Sequence, residues 1–170
     1  MRILNCRLTK SDSDIIETFG KQRNGTWHTG CDVTGTHAHS IDGGTVLAVN
    51  KSADGTSIVS VQYDKDTLLR YGNISSVYVS LGEKVMDGQQ IGKVSKSIHF
   101  ELCRKSATDT KFPVRVGSQT YYKIDPTPLL TLNEFLRSNV DSDKQRNYYA
   151  HPNPLNLSFD VFDEMNNGKG

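Results

Sequence analysis

The sequence has almost no excess of charge, no long apolar run and no closely spaced pair of cysteines. Its 170 residues carry 20 basic and 19 acidic side chains, for a net charge of +1. That balance offers no basic surface for nucleic acid or for an anionic membrane. No apolar run reaches the length of a membrane span, and the N-terminal segment lacks the apolar core of a signal peptide. We therefore expect neither a nucleic-acid nor a membrane partner, and no signal peptide.

Cysteine use and length limit the class of protein further. The three cysteines are Cys6, Cys31 and Cys103, and none forms a CxxC pair. An odd number of cysteines in a chain without an export signal predicts free thiols. The length is sufficient for one compact domain with an appended tail.

Short strand patterns dominate the sequence. Residues 45–49, 57–61 and 76–79 are rich in β-branched side chains, which favour strands. Turn-forming residues separate them, among them the pair Gly72 and Asn73. Closely spaced short strands of this kind predict a mainly β fold, built as an antiparallel sheet or sandwich.

Residues 97–102 form the most informative of the predicted strands. Ser97, His99 and Glu101 alternate with three apolar residues. Strict alternation predicts that one face packs on a core while the other faces polar space. His99 is therefore expected on the polar face.

The C-terminal part of the chain has a different character. Thr131 and Glu134 form a capping box that predicts a short helix. Residues 139–170 are polar and contain Pro152 and Pro154, which predicts an extended tail. Within the tail, residues 155–161 alternate between apolar and polar side chains. This pattern predicts a strand that either adds to the sheet edge of a partner or folds back onto its own domain.

His28, Gly30 and Asp32 form a His-x-Gly-x-Asp motif. In a straight strand residues four apart are about 13 Å apart, so His28 and Asp32 can share a metal only if the chain bends. Gly30 is where a bend costs least. With His99 as a third ligand, two histidines and one aspartate would form a zinc site with an open fourth position. The alternative is a surface histidine beside a turn-forming aspartate.

Seven segments in order match the motifs of one enzyme family. They are 19–23 (FG-x-R), 28–33 (H-x-G-x-D), 35–46 (GTPV-x-A…DGTV), 69–75 (YGHLS), 79–94 (V-x-x-G-x-x-V-x-x-G-Q-x-I-G-x-V), 97–102 (HLHFEL) and 124–130 (DP-x-x-L). Residues 19–130 thus resemble the lysostaphin/LytM-type zinc metallopeptidase domain, a peptidoglycan endopeptidase. The resemblance implies the lysostaphin-type fold (a duplicated hybrid motif) for a first domain of residues 1–130. The helix and docking tail predicted above make up residues 131–170.

The resemblance also implies roles for individual residues. His28, Asp32 and His99 take the positions of the zinc ligands. The family's two catalytic histidines, which assist the attacking water and stabilise the tetrahedral intermediate, are replaced by Asn73 and Ser97. Neither side chain can accept a proton near neutral pH. The glycine-rich loop that precedes the HLHFEL motif is also missing, since two residues alone join Val94 to Ser97.

Three other residues are weaker candidates. His37 and His39 lie on one face of a predicted strand and are alternatives for the missing base, or else surface or packing residues. Glu101 is either a partner of a metal ligand or an exposed strand residue.

The sequence therefore predicts a zinc-binding protein with the fold of a peptidoglycan hydrolase and weak or no hydrolysis. Such a protein would serve as a binding or structural module for peptidoglycan peptides. One alternative is an active zinc metalloendopeptidase that cleaves peptide cross-links, and another is a structural zinc site or an empty relic of one. Members of the resembled family act outside the cytoplasm, but no export signal is visible in this sequence. Location in a bacteriophage particle reconciles the two, so we expect a virion protein whose tail binds other virion proteins; the alternative is a protein that is cytoplasmic or released by lysis.

Overall fold

The structure is a computed structural model that describes residues 15–130. This range contains twelve β-strands. They are β1 (Ile15–Glu17), β2 (Gln22–Arg23), β3 (Thr26–Trp27), β4 (Cys31–Thr34), β5 (His37–His39), β6 (Gly44–Lys51), β7 (Ser57–Gln62), β8 (Thr67–Val77), β9 (Lys84–Val85), β10 (Gln90–Arg104), β11 (Pro113–Val116) and β12 (Gln119–Ile124).

Ten of the described strands form one antiparallel sheet. Its main path runs β1-β4-β10-β8-β7-β6-β9. The 15-residue strand β10 also pairs with β5 near its start and with β12 near its end. Strands β2 and β3 form a separate two-stranded hairpin. The mainly β antiparallel fold predicted from the sequence is confirmed.

The core follows from the alternation in β10. Ile98 and Phe100 are fully buried and Leu102 nearly so, as the pattern of residues 97–102 predicts. Tyr71 of β8 packs against Phe100 with ring centroids 5.5 Å apart. Its hydroxyl oxygen accepts a hydrogen bond from the Ile41 backbone N–H at 3.1 Å, so this large side chain is buried with its polar atom paired.

The predicted break at Gly72 and Asn73 is wrong. Both residues lie inside β8, an 11-residue strand that ends at Val77, so the predicted strand 76–79 contains only the end of a longer one. Asn73 has a φ of +61°, and the pairing of β8 with β10 is irregular between Val94 and His99. Asparagine tolerates this left-handed conformation, and here it produces a bulge within a continuous strand.

Two loops meet at a pair of carboxyl groups. The loop between β5 and β6 contains Asp42, and the loop between β9 and β10 contains Asp87. The Gly43 backbone N–H donates to Asp42 Oδ1 at 2.8 Å and to Asp87 Oδ1 at 2.9 Å. Burial, followed by the hydrogen bond and charge of Asp87, raises the pKa of Asp42 to about 8. At neutral pH the pair therefore retains one proton.

A helical turn begins at Thr127, four residues before the predicted cap Thr131. The Asp125 carboxylate accepts a hydrogen bond from the Thr127 backbone N–H at 2.9 Å, which satisfies one of the unpaired N–H groups at a helix start. The sheet belongs to a compact unit that ends at Thr127. Thr131, Glu134 and the predicted tail strand lie outside the described residues. Nowhere between residues 15 and 130 is a helix long and apolar enough to cross a membrane.

Candidate metal centre

His28 and Asp32 are brought together by a bend at Gly30. His28 follows β3 and Asp32 lies in β4, with the bend between the two strands. A methyl group on Gly30 would come within 2.5 Å of Phe100 O and 2.9 Å of His99 Cε1. Glycine is therefore needed at this position because the chain turns directly against the strand that carries the third histidine.

His99 lies in the middle of β10, between two neighbouring strands. It is opposite Asp32 of β4 and opposite Gly72 of β8. A Cβ atom on Gly72 would be 3.2 Å from His99 Cβ, so the missing side chain leaves room for the imidazole. The sheet register thus directs His99 toward Asp32 and His28.

The three predicted ligands form a compact triangle of donor atoms. His28 Nε2 lies 3.2 Å from Asp32 Oδ1 and 3.2 Å from His99 Nδ1, and His99 Nδ1 lies 2.9 Å from Asp32 Oδ1. A tetrahedral ion with bonds of about 2.0–2.1 Å separates its ligand atoms by about 3.3–3.4 Å. The observed triangle is smaller by a few tenths of an ångström, so this donor set fits a zinc ion and leaves the fourth position open.

Hydrogen bonds on the outer side of each ring direct the other ring nitrogen toward the centre. His28 Nδ1 donates to the Thr18 carbonyl at 2.8 Å, which leaves Nε2 free to act as a ligand. His99 Nε2 donates to Glu101 Oε1 at 3.0 Å, which leaves Nδ1 on the inner side. Metal-binding histidines are usually held in this way, and both histidines of the centre have such a partner.

Glu101 is buried, so the alternative of an exposed strand residue is wrong. It forms a buried ion pair with Arg70 of β8 and a second pair with Lys123 of β12, whose Nζ lies 2.9 Å from Oε1. Burial raises the pKa of Glu101, but the hydrogen bond from His99 and the charges of Arg70 and Lys123 outweigh it and lower the pKa to about 2. Glu101 is therefore an ionised acceptor for His99 at any physiological pH.

The sequence did not predict that Arg70 and Lys123 pair with Glu101. The available signal for Arg70 was a lone charge within the apolar run from Leu68 to Tyr71. A charge in that position must be paired when the strand is buried. Lys123 gave no comparable signal, because the pairing of β12 with β10 is what brings it to Glu101.

Contacts within the centre shift the pKa values of His99 and Asp32. Burial lowers the pKa of His99, but the hydrogen bonds to Asp32 and Glu101 outweigh it and raise the pKa to about 9. Burial raises the pKa of Asp32, but its contacts with His99 and His28 bring it below its usual value. In the metal-free protein the centre is thus a protonated histidine between two carboxylates.

Asn73 and Ser97 lie together on neighbouring strands beside the centre. The Asn73 amide Nδ2 is 3.4 Å from the Ser97 carbonyl oxygen. Strand β10 continues unbroken through residues 94–97, where the resemblance implied a glycine-rich loop. Among residues 15–130, neither an imidazole nor that loop is found at the positions of Asn73 and Ser97.

The remaining candidates lie elsewhere. Strand β5 pairs with β10 over residues 90–93, several residues before His99, and His37 packs near Tyr78 with ring centroids 6.2 Å apart. His39 is buried and hydrogen-bonds through Nδ1 to the His37 carbonyl at 3.2 Å. Neither belongs to the group of possible metal ligands found within residues 15–130. Cys31 and Cys103 are buried free thiols, as predicted.

Residues 26–118 match the family model described as Peptidase family M23. The chain belongs to peptidase family M23. The match covers more than half of the sequence and includes the three candidate ligands together with Asn73 and Ser97. No sequence among curated proteins matches the chain.

Several solved structures share this fold. A variant catalytic domain of the prophage-encoded M23 protein EnpA from Enterococcus faecalis is 22% identical, with a TM-score of 0.54 over 71% of this chain and 93% of that one. Lysostaphin from Staphylococcus simulans is 18% identical, with a TM-score of 0.59 over 91% of this chain and 61% of that one. A zinc-containing peptidase from Vibrio cholerae is 19% identical, with a TM-score of 0.56 over 76% and 40%. The M23 chain therefore spans less than two thirds of the last two proteins.

Proposed function

We propose that this M23 domain binds zinc through His28, Asp32 and His99 and uses the centre to bind peptidoglycan peptides, with weak or no hydrolysis. The observation that carries the proposal is the contrast between the two halves of the centre. The ligand half is complete, including the hydrogen bonds that orient both histidines. On the other side, Asn73 and Ser97 occupy the positions for which the resemblance implies two catalytic histidines.

The expected loss in the rate of peptide hydrolysis can be bounded. A general base contributes about 10²–10⁴ to the rate of an enzyme, and a group that stabilises the intermediate contributes about 10²–10³. The Asn73 amide and the Ser97 hydroxyl cannot replace the first contribution. Hydrolysis is thus expected to be slower by at least the smaller factor than in a domain with both histidines.

Peptide binding does not require the missing histidines. Zinc, when bound, supplies a Lewis acid that polarises a peptide carbonyl. His28, Asp32 and His99 would hold the ion and would leave a position for a ligand. Asn73 follows Gly72, the residue opposite His99 in the sheet, and its side chain carries amide donor and acceptor groups that a peptide backbone could use.

The test compares binding with cleavage in the same samples. We expect the zinc-loaded protein to sediment with purified peptidoglycan and to release few or no peptide fragments, measured by chromatography of the soluble products. His99→Ala should abolish zinc binding and reduce sedimentation. The double variant Asn73→His with Ser97→His should retain zinc and release fragments faster, provided that the unbroken β10 strand leaves room for the substrate.

One result would favour the alternative function. Rapid fragment release by the unmodified protein, removed by a chelator and restored by zinc, would identify an active zinc metalloendopeptidase. Fragment release that persists in His99→Ala would instead indicate a contaminating hydrolase.

The phage-particle location and the binding of virion proteins by the tail are parts of the same proposal, and they rest on the sequence. Deletion of residues 139–170 is expected to leave the zinc centre intact and to abolish assembly. Mass spectrometry of purified particles is the direct test of location, and absence of the protein from them would contradict the proposal.

A further inference from the structure

An open aromatic cleft lies next to the metal centre. It is formed by Phe19, Trp27 and Phe112, with Asp109 and Lys111 at its rim, and has a volume of about 410 Å³. Phe19 and Phe112 meet edge to face, with ring centroids 5.8 Å apart. The Trp27 side chain is 52% exposed. Ligand pockets have volumes of about 300–1,000 Å³ and are lined by aromatic residues with a few polar groups, and this cleft has that composition.

Both walls of the cleft are tied to the metal centre by hydrogen bonds. On one wall, the Gly20 backbone N–H donates to the His28 carbonyl at 2.7 Å, and the His28 N–H donates to the Lys21 carbonyl at 2.8 Å. On the other wall, the Phe112 carbonyl accepts from the Lys123 N–H at 2.8 Å. Lys123 in turn pairs with Glu101. A ligand in the cleft would therefore be held at a fixed position relative to the zinc ligands.

The charges at the rim restrict the class of ligand. Within residues 15–130 neither Asp109 nor Lys111 forms an ion pair, although Asp109 Oδ1 accepts a hydrogen bond from the Lys111 backbone N–H at 3.0 Å. A cationic ligand would be attracted to Trp27 and Asp109 but repelled by Lys111, and an anionic ligand would meet the opposite conflict. A neutral ligand with several hydroxyl groups can donate to the carboxylate and accept from the ammonium.

The flat face of the indole adds a second restriction. A large exposed aromatic ring gains free energy by covering its apolar surface. A pyranose ring presents one face of C–H groups to such a surface and hydroxyl groups at its edge. An apolar peptide side chain would cover the indole as well, but it would leave the polar rim unused.

We propose that the cleft between Trp27 and Phe112 is a saccharide subsite that binds the glycan strand of peptidoglycan while the metal centre binds the attached peptide. The identity of the polymer rests on the proposed function; the chemical class of the ligand rests on the cleft alone. The two can fail separately, because sugar binding in the cleft does not require zinc.

Trp27 is the only tryptophan of the chain, so its fluorescence reports directly on the cleft. The full protein, treated with a chelator, is titrated with the trimer of N-acetylglucosamine and, in a parallel series, with pentaglycine. We expect a saturable change in emission with the trimer and none with pentaglycine. Repeating both series with zinc should leave the affinity for the trimer unchanged.

Variants of the rim and wall separate this subsite from nonspecific contact. Phe112→Ala should weaken trimer binding roughly tenfold, and Phe112→Tyr should restore it. Asp109→Asn combined with Lys111→Met should also weaken trimer binding, whereas Tyr78→Ala, which removes an exposed aromatic side chain outside the cleft, should have no effect.

Saturation by pentaglycine instead of the trimer would identify the cleft as a peptide site and overturn the proposal. The absence of saturation by either ligand would overturn it as well. If sugar binds but zinc or wall peptides do not, the subsite stands and the proposed function fails.

Discussion

Glu101 connects the metal centre to the interior of the sheet. It accepts a hydrogen bond from His99 and is paired with Arg70 and Lys123. A partner of this kind fixes the orientation of a histidine ligand and increases its basicity. The sequence placed Glu101 on the same face as His99, but its burial depends on β8 and β12, which contribute the two cations.

We expect Glu101→Gln to lower zinc affinity about 10- to 100-fold, measured by competition with a chromophoric chelator. The amide keeps the shape of the side chain but removes the charge that holds His99. Asp66→Asn is the matched control. Asp66 pairs with Arg104, which ends the strand β10 that also carries Glu101, and Asp66 is not among the residues of the centre. Equal zinc affinity in the Glu101→Gln variant and the parent would show that Glu101 serves stability alone.

Zinc binding should also release a proton. Because the pKa of His99 is raised to about 9 in the metal-free protein, this ring is protonated at pH 7 and must lose its proton to bind metal. We expect about one proton to be released per zinc ion at pH 7, with apparent affinity rising about tenfold per pH unit up to the pKa. Calorimetry in two buffers with different ionisation enthalpies measures that number, and a value near zero at pH 7 would contradict the assignment of His99.

Among the elements, the bend at Gly30 and the bulge in β8 differ in how far the sequence predicts them. The bend was predictable, because two ligands four residues apart cannot share an ion in a straight strand. The bulge was not, because Gly72 followed by Asn73 is a common turn pattern. Pairing with β7 and β10 on either side keeps β8 extended through those residues. Tertiary hydrogen bonds therefore outweigh the local turn preference.

Gly30→Ala should disturb the centre more than the fold. The new methyl group would press against Phe100 O and the His99 ring, and a shift of His99 would open the ligand triangle. We expect a loss of zinc affinity of at least about tenfold, with the circular dichroism spectrum of the sheet retained. Gly117→Ala provides the comparison, since that glycine lies in the β11–β12 turn with open space around it; its positive φ predicts some loss of stability but none of zinc affinity.

The two loops joined at Asp42 and Asp87 should make stability depend on pH. The folded-state pKa of Asp42 is raised to about 8, so between about pH 4 and pH 8 the folded protein binds more protons than the unfolded chain and stability falls as pH rises. We expect Asp42→Asn to be more stable than the parent at pH 8 by at least about 1 kcal/mol and no more stable at pH 4, measured by urea unfolding. Asp66→Asn should instead be less stable than the parent at pH 8, because the pKa of Asp66 is lowered in the folded protein and its charged form therefore stabilises the fold.

For the whole molecule, the sequence was sufficient for the fold class and for the three candidate ligands, since both follow from local patterns and ordered motifs. It was insufficient for the parts that depend on which strands become neighbours. The ion pairs around Glu101, the aromatic cleft and the carboxyl pair each join segments distant in sequence. No local pattern in the chain encodes those pairings.

The central position of β10 has a consequence for the order of events during folding. His28 and His99 are 71 residues apart in sequence, and Asp32 is placed beside His99 by the pairing of β4 with β10. Contacts of this kind form late, because closing long loops costs entropy before any contact compensates for it. An ion that binds only the completed centre slows unfolding and leaves the refolding rate unchanged. Stopped-flow measurements with and without zinc should therefore differ in the unfolding limb alone, and faster refolding with zinc would mean that the centre assembles before the transition state.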